Sequence, residues 1–244
     1  MSPDHVVVVG GTRGLGRVVA ERFLARGCDV TAISRNPPEE ASGIRHVAAD
    51  LAALDSAEAT VAAVLAGGGP VRYLVFCQRY RGTGDAWQGE IQVGLTASRL
   101  LIEGLAPHFC AEGDRAIGLV SSVYANFVGS SQPVGYHVVK AGLNQMIRYY
   151  AWELGRQGIR ANAVMPLTYI KPESRAFYHS KPDLLALYDR FVPLRRLGEA
   201  EDSANLLDFL CSEKAGFING QCIFVDGGVS VVWPEELARN LTGV

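Results

Sequence analysis

Short apolar runs alternate with segments of helical period along most of the chain. The run from His5 to Val9 is dominated by valine and ends at a glycine cluster, which is typical of a buried strand. Leu15 to Arg26 then carries apolar residues at helical spacing, and Gly27 follows where a helix C-cap favours glycine. The same criteria predict further strands at residues 29–34, 44–48, 71–77, 116–121, 160–165 and 221–225, and further helices at 55–65, 87–108, 135–157 and 200–211.

This order of elements predicts an α/β protein. Strands that alternate with helices favour right-handed crossovers and a parallel sheet with helices on both faces. A chain of 244 residues has room for one large α/β domain or two small ones. Because no linker, repeat or charge block divides the chain, we expect one doubly wound domain over residues 1–244, with about seven strands. Ligands of such a domain bind at the carboxyl ends of its strands.

Composition and charge narrow the choice of partners. The chain is 48% hydrophobic and 20% charged, which is typical of a globular protein with a sizeable core. A net charge of −2 gives no reason to expect nucleic acid or an anionic membrane as a partner. Without a signal-like N-terminus or a long apolar span, we expect a cytoplasmic protein. The five cysteines and five histidines are scattered, so we expect free thiols and no metal site.

The segment after the first predicted strand, residues 10–16, reads Gly-Gly-Thr-Arg-Gly-Leu-Gly. Glycines at its first, fifth and seventh positions permit a tight turn, a close approach of the backbone to a pyrophosphate, and close packing of the next helix. The N-terminus of that helix presents free N–H groups and partial positive charge to phosphates. The segment therefore predicts a dinucleotide site, whose binding residues here are Gly10, Thr12, Arg13, Gly14, Leu15 and Gly16.

The end of the second predicted strand indicates which dinucleotide binds. An acidic residue there would hydrogen-bond the ribose 2′-hydroxyl of NAD, but this chain has Ser34 followed by Arg35. A hydroxyl group and the guanidinium groups of Arg35 and Arg13 suit a 2′-phosphate. The alternative is that both arginines only solvate a loop. We expect NADP(H) as the cofactor.

Three residues predict the chemistry. Tyr136 and Lys140 lie four positions apart on a predicted helix, so both project from one face. A nearby lysine cation is expected to lower the pKa of the tyrosine toward the range in which it can transfer protons. Ser122 follows a predicted strand, where its hydroxyl can donate a hydrogen bond to a substrate oxygen that gains charge. The alternative is that Tyr136 and Lys140 belong to an ordinary amphipathic helix face.

These motifs together resemble the classical short-chain dehydrogenase/reductase family. The glycine spacing of residues 10–16, the serine followed by Tyr136 and Lys140, and the segment Val225-Asp226-Gly227-Gly228 all fit the family pattern, and the likeness runs from Val6 to about Ser230. The interval from Ser122 to Tyr136 is 14 residues, one longer than is usual in the family, and Ser121 would fit less well.

The resemblance implies a Rossmann-type fold and an NADP(H)-dependent ketoreductase or alcohol dehydrogenase with Tyr136 as general acid/base. It also implies a homodimer or homotetramer. Asp50 and Leu51 are expected beside the adenine, although an N-cap role for Asp50 is an open alternative. Pro166 is expected in the cofactor groove.

The sequence departs from the family at several positions. Residues 76–79, Phe-Cys-Gln-Arg, replace Asn-Asn-Ala-Gly and put the shape of the groove in doubt, while Gly94 replaces an asparagine that helps to hold a proton-relay water. Lys171 replaces a threonine expected near the carboxamide, for which Thr168 is a substitute. A second hypothesis is therefore a cofactor-binding regulatory or structural protein with little or no turnover.

Residues 167–195 are expected to form a substrate lid. Their mixture of aromatic and basic side chains suggests a carbonyl or alcohol substrate that is apolar or aromatic, with an anionic group. The aromatic residues could equally pack the core of the lid. The residues in question are Tyr169, Lys171, Arg175, Phe177, Tyr178, His179, Lys181, Tyr188 and Phe191, with Arg79 and Tyr80 as further pocket wall.

Overall fold

The centre of the molecule is a seven-stranded sheet in which every neighbouring pair of strands is parallel. A computed structural model describes residues 3–38, 43–55 and 57–243. The strand order is β3-β2-β1-β4-β5-β6-β9, which confirms the predicted doubly wound α/β class. The strands of this sheet are β1 (His5–Val9), β2 (Asp29–Ser34), β3 (Arg45–Ala48), β4 (Tyr73–Phe76), β5 (Arg115–Val120), β6 (Ile159–Pro166) and β9 (Cys222–Val225).

Helices cover both faces of the sheet. Successive valines of β1 point to opposite faces, so Val7 packs with the helices of one layer and Val8 with the helices of the other. Both valines are completely buried, as expected for a parallel sheet between two helical layers. The helices are α1 (Gly14–Ala25), α2 (Glu58–Gly68), α3 (Ala86–Glu90), α4 (Ala97–Leu105), α5 (Val134–Glu153), α6 (Arg175–His179), α7 (Pro182–Phe191), α8 (Ala200–Leu210) and α9 (Pro234–Thr242).

The helix predicted for residues 87–108 is not a single regular helix. Helices α3 and α4 are joined by a π-helix, Ile91–Thr96, and α4 ends in a 3₁₀ turn, Ala106–His108. A π-helical insertion rotates the side chains that follow it, and such insertions are frequent at functional sites. The segment therefore runs through its predicted length with an irregular middle.

The segment predicted as a lid contains regular structure. Residues Tyr169–Ile170 (β7) pair in parallel with Gly198–Glu199 (β8), and α6 and α7 lie between them in the chain. Helix α9, which the sequence pattern did not predict, lies against α7, where the Arg190 guanidinium donates to main-chain carbonyls near the end of α9. Among the helices of the described residues, none has the length and apolar character that a membrane crossing requires.

Candidate active site

The glycine loop brings three backbone segments into close contact. Gly10 has a φ of +77°, and a Cβ at this position would lie 2.9 Å from the main chain of Gln78. A Cβ at Gly16 would lie 2.1 Å from the Gly10 carbonyl oxygen. No residue with a side chain fits either position without moving the backbone. The N-terminus of α1 therefore lies directly at the carboxyl ends of β1 and β4.

The end of β2 forms a small hydroxyl network beside this loop. Thr12 Oγ1 donates to Ser34 Oγ across 3.1 Å, and Ser34 Oγ donates to the Asn36 carbonyl oxygen across 2.7 Å. The side chains of Arg13 and Arg35 are exposed next to it. The two exposed guanidinium groups and the Ser34 hydroxyl thus lie together at one rim of the glycine loop.

A cavity of about 1180 Å³ extends from this rim to the ends of β5 and β6. Asp50 lies on the wall of the cavity. Asp50 Oδ1 also accepts a hydrogen bond from the Ala52 amide at 3.0 Å, so Asp50 is the N-cap of the 3₁₀ turn Leu51–Ala53. All predicted site residues line this cavity: Gly10, Thr12, Arg13, Gly14, Leu15, Gly16, Ser34, Arg35, Asp50, Leu51, Ser122, Tyr136, Lys140 and Pro166.

The three predicted catalytic residues meet where β5 ends and α5 begins. Lys140 is buried, its Nζ donates to the Val120 carbonyl oxygen at 2.8 Å, and it lies 5.5 Å from the centroid of the Tyr136 ring. The Ser122 hydroxyl lies near the Tyr136 phenol and acts to lower its pKa, while Ser122 Oγ accepts a hydrogen bond from the Tyr124 amide at 3.2 Å. Ser121 instead donates to the Lys140 carbonyl oxygen at 3.1 Å, which leaves Ser122 as the serine of the site.

The pKa of Tyr136 differs from the expectation. Burial raises it above the ordinary value, and the groups that act against this rise are the Ser122 hydroxyl and then the Arg79 guanidinium. Burial also lowers the pKa of Lys140 to about 8, because a desolvated ammonium group loses its proton more easily. The lysine was expected to be the cation that lowers the pKa of Tyr136, but Arg79 has that effect in the structure.

Arg79 is the site residue whose role sequence reasoning missed. Its guanidinium carbon lies 4.9 Å from the centroid of the Tyr136 ring, and its Nη2 donates to Gln132 Oε1 at 2.6 Å. The replacement of a glycine by Arg79 therefore leaves the groove open, because the side chain is directed toward α5. Phe76 is buried in the core, and Gln78, although it lines the cavity, has its side-chain Nε2 hydrogen-bonded to Ser98 Oγ at 2.8 Å.

Gly94 lies inside the π-helix and is packed tightly. A Cβ at this position would lie 2.3 Å from Val139 Cγ1. The Gly94 carbonyl oxygen accepts a hydrogen bond from Ser98 Oγ at 2.6 Å. One of the two lone pairs of this carbonyl oxygen therefore already has a protein partner.

Some of the predicted lid residues reach the cavity and others do not. Tyr169, Lys171 and Tyr178 line it, together with Thr168 and Tyr80. Tyr188 and Phe191 are half-buried and pack on each other, with ring centroids 5.0 Å apart, and neither lines the cavity. The remaining lid candidates do not line the cavity: Arg175, Phe177, His179 and Lys181.

Comparison with known proteins identifies the family. A family model described as enoyl-(acyl carrier protein) reductase matches residues 9–230. An L-rhamnose 1-dehydrogenase (NAD(P)(+)) of Azotobacter vinelandii is 31% identical over 256 aligned positions, which cover 93% of this chain and 96% of that protein. The chain belongs to the short-chain dehydrogenase/reductase family. It is therefore an oxidoreductase that uses a nicotinamide cofactor.

Other members of this family align over similar lengths. The L-xylulose reductase of Bos taurus is 29% identical over 237 positions, covering 92% of this chain and 95% of that protein. The solved structure of the aldohexose dehydrogenase of Thermoplasma acidophilum superimposes with a TM-score of 0.84 at 26% identity, covering 95% of this chain and 96% of that one. The short-chain dehydrogenase/reductase domain thus spans nearly the whole chain.

Proposed function

We propose that the protein is an NADP(H)-dependent ketoreductase or alcohol dehydrogenase with Tyr136 as general acid/base. One observation carries this proposal: a single cavity has Ser122, Tyr136 and Lys140 at one end and the exposed guanidinium groups of Arg13 and Arg35 at the other. The first group suits a carbonyl oxygen, and the second suits a phosphate.

The residues present fit a phosphorylated dinucleotide. The backbone approach at Gly10 and Gly16 leaves no space for side chains, so the loop presents main-chain N–H groups at the start of α1. Arg13 and Arg35 would hold the 2′-phosphate together with the Ser34 hydroxyl. When bound, the nicotinamide supplies or accepts the hydride.

The protein residues then handle the oxygen atom and its proton. In this proposal Ser122 donates a hydrogen bond to the substrate oxygen, and Tyr136 transfers the proton. Because burial raises the pKa of Tyr136, the phenol is protonated at neutral pH and suited to act as an acid. This favours reduction of a carbonyl over oxidation of an alcohol. Lys140, whose pKa is about 8, lies behind Tyr136 as a group that can exchange protons near neutral pH.

Titration of intrinsic fluorescence with NADPH and with NADH tests the cofactor assignment. We expect NADPH to bind more tightly, and Arg35→Ala to weaken NADPH binding by about tenfold or more, because charge-assisted hydrogen bonds contribute roughly 1.5–3 kcal/mol. NADH binding should change little. The control is Arg99→Ala, which removes an exposed arginine paired with Glu103 on α4. Equal affinity of wild type for both cofactors would contradict the assignment.

Oxidation of NADPH with a panel of ketones and aldehydes tests the reaction. We expect turnover by wild type and a loss of at least about a hundredfold in Tyr136→Phe, which keeps the ring but removes the transferable proton. Tight NADPH binding without turnover of any carbonyl compound would instead support the second hypothesis, a cofactor-binding protein with little or no catalysis.

We also propose a homodimer or homotetramer. Helix α5 exposes two large aromatic side chains, Tyr149 and Trp152, with 58% and 68% of their surface accessible. Exposed apolar groups on one helix are typical of an interaction surface. Light scattering should give twice or four times the mass of the chain, 26.2 kDa, and Trp152→Glu should shift the protein toward monomers. A monomeric wild type would contradict this proposal. Cytoplasmic location remains a prediction from the sequence.

A further inference from the structure

Positive charge is concentrated at the catalytic end of the cavity. Of the residues that line this end, on the loops after β4, β5 and β6 and on α5, four are cationic: Arg79, Arg81, Lys140 and Lys171. Among the described lining residues there, Glu173 is the one acidic side chain. Like charges that converge in a cavity raise the local concentration of anions and favour their binding.

The protein provides no direct ion pair for either arginine among the described residues, although the charge of Arg79 acts against the rise that burial causes in the pKa of the buried Glu90 carboxyl. Within residues 3–38, 43–55 and 57–243, neither Arg79 nor Arg81 forms an ion pair, and Arg79 donates to the uncharged amide oxygen of Gln132. The cations also repel one another. Burial lowers the pKa of Lys171 and Arg81 lowers it further, against the opposing effect of Glu173. Burial and Arg79 likewise lower the pKa of Lys140, against the opposing effect of Glu90. An anion placed among these groups would relieve this repulsion.

The phosphates of the cofactor account for only part of this charge. A Cβ at Gly14 would lie 3.4 Å from Lys171 Cδ and 3.0 Å from Glu173 Oε1, so these two side chains extend from the catalytic end to the phosphate loop. Arg79 lies elsewhere, over the ring of Tyr136. Its charge is therefore beside the residue that transfers the proton and is not at the loop that holds phosphates.

We propose that the substrate is a carbonyl compound that carries a carboxylate, and that Arg79, assisted by Arg81, binds this carboxylate beside Tyr136. The proposal rests on the proposed function and adds the substrate class to it. A guanidinium group suits a carboxylate because its planar set of donors can form two parallel hydrogen bonds. The Gln132 amide holds the Arg79 guanidinium in place for this contact.

A matched pair of substrates tests the proposal. Phenylglyoxylate and its methyl ester have the same ketone and ring but differ in charge, and 4-acetylbenzoate and its methyl ester repeat the comparison with the carboxylate farther from the ketone. For wild type with NADPH, we expect kcat/KM to be at least about tenfold higher for one of the acids than for its ester, mainly through a lower KM.

Two variants locate the source of that preference. Arg79→Gln should remove most of the preference by raising KM for the acid, while Arg99→Gln should leave it unchanged. The change in kcat/KM that Arg79→Gln causes with the ester measures the separate influence of Arg79 on Tyr136, because the ester has no carboxylate to bind. Arg79→Lys should keep part of the preference, since it retains the charge but loses the paired donors.

The outcomes separate this proposal from the proposed function. Reduction of both esters as fast as the acids, or an acid preference that survives in Arg79→Gln, would overturn the anionic substrate class while the reductase function stands. If no compound is reduced, binding of the acids against the esters to the complex with NADP(H), measured by calorimetry, decides the question. Equal binding of acid and ester would overturn the proposal as well.

Discussion

Replacing Gly94 by alanine tests whether packing explains the absence of the asparagine that the family has at this position. The added Cβ would lie 2.3 Å from Val139 Cγ1, well inside the ~3.5–4.0 Å at which two carbon atoms attract each other. Val139 is 1% exposed and lies in α5, where a β-branched side chain has one strongly preferred rotamer. The methyl group therefore has no free direction in which to move.

The direction of the stability change shows whether the contact with Val139 outweighs the usual effect of replacing glycine by alanine in a helix. Alanine in place of glycine inside a helix ordinarily stabilises a protein by roughly 0.5–1 kcal/mol. Overpacking of a filled core costs roughly 1–3 kcal/mol. We therefore expect Gly94→Ala to lower the free energy of unfolding by about 1–2 kcal/mol, and the melting temperature by about 2–8 °C.

Urea denaturation of a double-mutant cycle measures the contact. Val139→Ala alone should cost about 2 kcal/mol through the cavity it leaves. In the double variant the clash is absent, so its total loss should be smaller than the sum of the single losses by about 1 kcal/mol or more. The control is Gly135→Ala in α5, whose Cβ would find ordinary contacts of 3.4 Å and longer. Additive losses, or a Gly94→Ala protein more stable than wild type, would refute the reasoning.

Three further predictions concern charged side chains, two at the site and one at the opposite edge of the sheet. Arg79→Met should raise the pKa of Tyr136 because it removes a nearby positive charge, and the midpoint of the pH profile for alcohol oxidation should rise by roughly one unit or less. Glu90→Gln removes a negative charge and should lower that midpoint. Measurement of kcat/KM against pH checks both. Asp114→Asn should lower the melting temperature by roughly 6–20 °C, because this carboxylate pairs with a buried arginine and breaking such a pair costs about 3–5 kcal/mol. Since the pKa of Lys140 is lowered to about 8, the unfolded chain binds more protons between pH 8 and 10.5, and this residue's contribution to stability rises with pH in that window. Lys140→Met should therefore gain stability over wild type at pH 7, by about 1–2 kcal/mol, and lose that advantage by pH 10; an equal difference at both pH values would contradict the assignment.

The sequence was sufficient to predict the fold because its signals are local. Four valines between His5 and Gly10 mark a strand buried on both faces, and the glycine spacing of residues 10–16 marks the turn into α1. The π-helix of Ile91–Thr96 has no such signal, because it depends on the packing of this segment against α5. Helix α9 was missed because it is short, polar on average and packed against α7.

The site was predictable only where its residues belong to a motif. Ser122, Tyr136 and Lys140 follow from spacing, and the structure brings them together. The direction of the Arg79 side chain depends on Gln132 and Tyr136, more than 50 positions away in the chain, so no local pattern contains it. The sign of the pKa shift of Tyr136 was wrong for the same reason, because burial is set by the complete fold.

The departures from the family at positions 78 and 94 form one connected change. Gln78 Nε2 donates to Ser98 Oγ at 2.8 Å, and Ser98 Oγ donates to the Gly94 carbonyl oxygen at 2.6 Å. The loop after β4 is thereby linked through α4 to the π-helix. Because the Gly94 carbonyl already has Ser98 as a partner and Val139 fills the space above its Cα, Gly94→Asn alone cannot restore the family arrangement. We therefore expect a return to the family arrangement to require smaller side chains at positions 78 and 139 in the same protein.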